Sequence, residues 1–136
     1  MMKKHSFILI CLMAFSMGCS PNSLEDFQHE GEAMNRALAN DLRQIRTKEE
    51  LVKAIPKLKK RYEKYVELLI DAKEYQQKHP EEERPEIQAS DLPNGEFLFW
   101  ELKRIYAMEG GREAMEKAQR EALIKLDAYE RSKKSN

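Results

Sequence analysis

The sequence predicts an all-α protein, a small antiparallel bundle of about four helices behind an N-terminal leader. Three observations carry this reading. Strand formers are nearly missing, with one threonine (Thr47) and two valines (Val52 and Val66). Charged residues make up 35% of the chain and, with Ala and Leu, favour helix. Apolar residues recur at steps of three and four in separate stretches, each bounded by a capping or breaking signal.

The chain opens with a segment of a different kind. Met1 to His5 form a positive n-region that carries Lys3 and Lys4. Phe7 to Phe15 form an apolar run, and Ser16-Met17-Gly18-Cys19 follow. The run is too short to span a bilayer, which takes about 20 residues, and has the length of a secretory h-region. Gly18 before Cys19 resembles the lipobox of bacterial lipoprotein precursors, although Ser16 and Met17 depart from its usual Leu and Ala or Ser. The resemblance implies cleavage between Gly18 and Cys19, diacylglycerol on the Cys19 sulfur and acylation of the new amino terminus. Several acyl chains anchor a protein stably where one does not. Ser20 after the cysteine, where Asp favours inner-membrane retention, points to the periplasmic face of the outer membrane. Cys11 leaves with the leader and Cys19 carries lipid, so the exported domain has no disulfide.

The predicted organisation is a signal peptide over 1–18, a lipidated tether over 19–22 and one helical domain over 23–136. Ser23 is a plausible N-cap, with Asp26 in the acidic first turn. The first helix then runs to about residue 46, with Leu24, Phe27, Met34, Leu38, Leu42 and Ile45 in one stripe. Gly31 inside it either weakens the helix or admits a close neighbour. Thr47 and Glu50 have capping-box spacing and open a second helix to about 78. Its stripe is Leu51, Ile55, Leu58, Tyr62, Tyr65, Val66, Leu69 and Ala72. Pro56 predicts a kink there, or a split into 48–54 and 56–78. Lys57, Lys59, Lys60, Arg61 and Lys64 read as a solvated face partly paired with Glu63 and Glu67.

His79-Pro80 ends the second helix, and residues 80–91 read as an acidic exposed loop. Ser90 or Asp91 can cap a third helix over about 92–108, with Pro93 in its first turn and Gly110-Gly111 ending it. A fourth helix covers about 112–132, with Met115, Ala118, Ala122, Leu123, Leu126 and Tyr129 inward. A more open hairpin that completes its core by dimerising is the other architecture that fits.

Charge and motifs bear on function. The chain has 24 basic and 24 acidic residues; two of the basic ones, Lys3 and Lys4, lie in the leader, so the rest carries 22 against 24. That balance gives no pull on nucleic acid or on anionic lipid. His29 and His79 have no second histidine at ligand spacing, so no metal or other cofactor is expected. No serine sits in a nucleophile elbow, and no glycine-rich phosphate loop exists. The expectation is a non-enzymatic protein.

The sharper feature is Phe97-Leu98-Phe99-Trp100. Four adjacent large apolar groups cannot share one helix face. Leu98, Phe99, Leu102, Ile105 and Tyr106 group on one side, and Phe97, Trp100, Arg104 and Met108 on another. The second group is the candidate partner-binding face, because aromatic, Met and Arg residues are enriched at interfaces; the other reading is that the third helix is central and this face packs on the first helix or the 80–91 loop. The expected function is a membrane-tethered accessory factor of the bacterial envelope, with an envelope protein as partner. A cell-wall or small-ligand binder using a groove lined by Tyr62, Tyr65 and Trp100 is the alternative, and an inert spacer a third.

Overall fold

The computed structural model describes residues 20–86 and 92–136. The leader, the Gly18–Cys19 junction and the Ser90 or Asp91 cap lie outside the described residues. Four helices form the expected all-α bundle: α1 (Leu24–Gln44), α2 (Lys48–Lys78), α3 (Leu92–Ala107) and α4 (Gly111–Lys134).

Helix boundaries follow local chemistry. The Ser23 hydroxyl accepts the Asp26 amide at 3.1 Å, and the Asp26 carboxylate accepts the Asn22 amide at 2.9 Å. Ile45 and Arg46 link α1 to α2 in a tight turn. Thr47 Oγ1 accepts the Glu50 amide at 3.2 Å, while the Glu50 carboxylate accepts the amides of Arg46 (2.7 Å) and Thr47 (3.3 Å). These contacts satisfy donors that the first helical turn leaves open. Helix α2 runs unbroken through Pro56, so the split into two helices is not realised. Pro56 is exposed, as is Val52, whose carbonyl the missing N–H would have engaged. Water can take that carbonyl, which keeps the cost of the proline low.

Chain neighbours are antiparallel, but neighbours in space are not all so. Helix α1 borders α2 and α3, and α4 borders α2 and α3. Lys48–Glu109 at the α3–α4 turn, then Lys59–Glu121, Lys125–Glu67 and Lys73–Glu130, pair in ascending order along α2 and α4, which therefore run parallel. Parallel dipoles side by side are mildly unfavourable. The exposed pairs contribute little net stability, but they bring opposite charges together in one register. Helix α3 lies beside the C-terminal half of α1, where Arg104 reaches Leu42 and Ile45 and Phe97 reaches Arg36 to Arg43.

The core is apolar and concentrated near the two tight turns. Leu42, Leu51, Leu58, Ile105 and Met115 are fully buried, with Leu38, Ile45, Ala114 and Ala118 around them. The alanine face of α4 (Ala114, Ala118, Ala122) is buried as its spacing predicts. Leu123, expected inward, is 53% exposed, because it lies about 100° from Ala122 around the helix. Leu69 is exposed as well.

Gly31 faces only ordinary space. A Cβ there would meet Leu68 Cδ2 at 3.9 Å, so no close approach requires the glycine. Gly31→Ala is expected to raise stability by about 0.5–1 kcal/mol through a less flexible unfolded chain and better helix propensity. Urea unfolding checks this: the midpoint should rise with the slope unchanged.

Candidate functional site

Helix α3 has one buried edge and a wide outward face. Ile105 is fully buried, and Leu98, Leu102 and Met108 pack beside it on the core. Phe97 (42%), Phe99 (58%) and Trp100 (55%) remain exposed. Phe99 and Tyr106, grouped by periodicity on one side with Ile105, are exposed where Ile105 is buried. The stripe that faces the core is narrower than the apolar content of α3, so several large side chains are left outside it.

The expected Phe97–Trp100–Arg104–Met108 face divides in two. Arg104 works within the fold. Its guanidinium donates to the carbonyls of Leu42 (2.6 Å) and Ile45 (2.8 Å) and to the Glu101 carboxylate (2.9 Å). It thereby caps the C-terminal end of α1 from a neighbouring helix, where carbonyls lack partners and a cation is favoured. Met108 packs on the core, with its sulfur 3.8 Å from an Arg104 nitrogen. Phe97 and Trp100 stay outward with Phe99.

Cations frame these rings. The Arg43 guanidinium lies 5.6 Å from the Phe97 centroid, and Lys103 Nζ lies 5.0 Å from that of Trp100. Phe99 meets Trp100 edge-on at 5.5 Å. Phe97 also walls a shallow recess of about 200 Å³ with Arg36, Ala39, Asn40 and Arg43 of α1. The result is an aromatic ridge edged by exposed Arg36, Arg43 and Lys103, with Glu96 also on the ridge.

The opposite end of α1 is clamped. The Glu82 carboxylate accepts the Leu24 amide (2.9 Å) and the Tyr75 hydroxyl (2.7 Å), and that hydroxyl also lies 2.8 Å from the Asn22 carbonyl. The Tyr75 ring tilts against Phe27 (5.5 Å) and stacks on His79 (4.3 Å). Residues of the tether, α1, α2 and the following loop are thus joined around one phenol. Its hydrogen bond to Glu82 pushes the Tyr75 pKa up to about 12, while the same bond and the Leu24 amide hold the Glu82 carboxyl below its usual range.

The sign of each shift gives a pH prediction. A raised phenol pKa contributes stability below its ordinary value of 10, which is lost as pH rises towards about 12. A lowered carboxyl pKa contributes above its ordinary 4.5 and is lost as pH falls below that. The Leu24 amide should therefore be protected from hydrogen exchange on a plateau between these limits. Tyr75→Phe should remove the alkaline limb and leave an acid limb through Glu82. A pH series of Leu24 exchange rates checks both.

A groove of about 320 Å³ lies between α1 and α2, lined by Met34, Ala37, Leu38, Tyr62 and Tyr65 with Glu30, Arg61 and Lys64 at its edges. Trp100 is not part of it, so the ligand groove expected from three aromatic residues keeps two. The Tyr62 hydroxyl is enclosed without a hydrogen-bond partner, and burial pushes its pKa up. Nearby, Asp41 accepts Arg61 Nε (2.6 Å) and Lys57 Nζ (3.0 Å). Burial alone would raise the Asp41 pKa, but these two cations outweigh it and hold the carboxyl low. The basic cluster of α2 therefore pairs across helices, with Asp41 and Glu121, instead of with Glu63 and Glu67 on its own helix.

His29 is exposed beside Glu25 (3.5 Å) and Glu32 (3.8 Å). Among the described residues, no group of three or more His, Cys, Asp or Glu is arranged to hold a metal ion. Among them, too, no helix is long and apolar enough to cross a membrane.

The chain matches no protein-family model, curated protein or solved structure. What defines it is its own architecture: a four-helix bundle with a clamped N-terminal exit and an outward aromatic ridge on α3. The Asn22–Tyr75–Glu82 clamp carries no sequence signature, since its parts lie 53 residues apart and no spacing rule links them.

Proposed function

We propose that the chain is a lipid-anchored helical module of a bacterial envelope that acts by binding, without catalysis, as an accessory factor. The observation that carries this reading is the junction of Gly18-Cys19 with a tether fastened almost at once to the bundle. Only Ser20 and Pro21 separate Cys19 from Asn22, and Asn22 and Leu24 are already held by Tyr75 and Glu82. A tether that short keeps the domain against the surface that holds the lipid. As an accessory factor, the module takes an envelope protein as its partner.

Intact-mass measurement of membrane-extracted protein tests the anchor. The expected mature species begins at Cys19 and carries diacylglycerol and an amide-linked acyl chain. Cys19→Ala should give no acylated species and either stay unprocessed or leave the membrane. A mature protein that begins elsewhere, or a bare Cys19 thiol, overturns the assignment.

A further inference from the structure

We propose that the outward face of α3 rests on the anionic phospholipid surface to which the chain is tethered, so that the bundle lies on its α1–α3 flank. The proposal deepens the anchoring reading and rests on it for the tether.

The chemistry of the ridge fits a bilayer interface. Trp100, Phe97 and Phe99 are exposed, and Arg36, Arg43 and Lys103 stand around them against the exposed Glu96, a local positive excess that the balanced charge of the whole chain does not show. Indole and phenyl rings favour the headgroup region, and cations there meet anionic phosphates. Arg43 over Phe97 and Lys103 over Trp100 hold charge and ring together, so both reach the interface at once.

The shape of the ridge separates a bilayer from a protein. At about 100° per residue, Phe97 and Phe99 stand about 60° and 100° to either side of Trp100. The rings diverge around a convex helix. A flat rigid surface meets two of them at once, whereas a fluid headgroup layer can surround all three.

Reach is sufficient. Three residues from Cys19 to Asn22 extend at most about 10 Å. Phe97 sits beside Arg36 to Arg43 of α1, about 18–28 Å along that helix from Leu24. Helices α1 and α3 are neighbours, so tipping the bundle about its clamped end brings the ridge to the same leaflet. The tether keeps the ridge close to lipid, so a weak contact suffices.

Trp100 is the single tryptophan and reports directly. The full processed protein is reconstituted in vesicles of phosphatidylcholine alone or with phosphatidylglycerol. In the anionic vesicles, acrylamide quenching of Trp100 should fall about threefold, and brominated phospholipid should quench it. Salt should reverse the effect, as should the double variant Arg43→Glu, Lys103→Glu. Equal quenching in both vesicles overturns the proposal. So does shielding that grows with protein density, which marks a second copy, or that needs an added envelope protein. Intact mass on the same sample separates the two readings: a bare Cys19 overturns the anchor, while Trp100 shielding decides the α3 face either way.

Discussion

Gly111→Ala is expected to destabilise the bundle by about 3 kcal/mol or more. A Cβ at this position would fall 1.9 Å from the Ile105 carbonyl oxygen and 2.9 Å from its carbon. Both atoms belong to backbone, so no side chain can rotate away. The backbone there cannot easily yield, because Ile105 is fully buried and Arg104 next to it holds α3 to the end of α1. The collision therefore forces α3 and α4 apart at the turn that joins them. Thermal unfolding should show a midpoint lower by about 10 °C or more. Gly110 makes the control. Its φ of 72° favours glycine, but an added Cβ would meet only the side chain of Lys48, nearest at Cε at 3.2 Å, the far part of a movable chain. Gly110→Ala should cost about 1 kcal/mol, the penalty of left-handed backbone alone. If Gly111→Ala proves as mild as Gly110→Ala, the packing of the α3–α4 turn is not as described.

Leu58→Ala is expected to cost about 2–5 kcal/mol. Leu58 is fully buried in α2, in a cluster fed by all four helices. Removing its isobutyl group loses the transfer energy of the buried atoms and leaves a cavity. Ala114 and Ala118 of the same cluster are too short to fill that space, which places the loss towards the upper part of the range. Denaturant unfolding should show a lower midpoint at constant slope. Val52→Ala, on the same helix but 54% exposed, should stay within about 0.5 kcal/mol of the parent. Comparable losses at Leu58 and Val52 would contradict the burial pattern of α2.

Some of the site was legible and some was not, for identifiable reasons. The aromatic excess of Phe97 to Trp100 marked α3, since four consecutive large apolar residues exceed what one buried stripe can take. Which of them would be left outside was not legible. Periodicity grouped Phe99 with Ile105, yet Phe99 is exposed and Ile105 is not, because the orientation of α3 against α1 and α4 selects the stripe. Arg104 resembled an interface residue by type. Its role as a cap for α1 depends on where the end of a helix some 60 residues earlier lies in space. The cross-helix partners of Lys57, Arg61 and Lys59 were likewise hidden, since Asp41 and Glu121 are neighbours only after folding.

The helical class, the number of helices and most of their limits can be read from the residues in order. Those features come from local forces: propensity, the hydroxyl caps of Ser23 and Thr47, the glycine pair at 110–111 and the 3.6-residue recurrence of apolar side chains. Tertiary structure alone decided that α2 and α4 run side by side in the same direction, that the tether is fastened through Tyr75 and Glu82, and that three rings of α3 face outward. Each of these depends on which helix faces which. A stripe of apolar residues states that a face must be buried, but it does not name the surface that covers it.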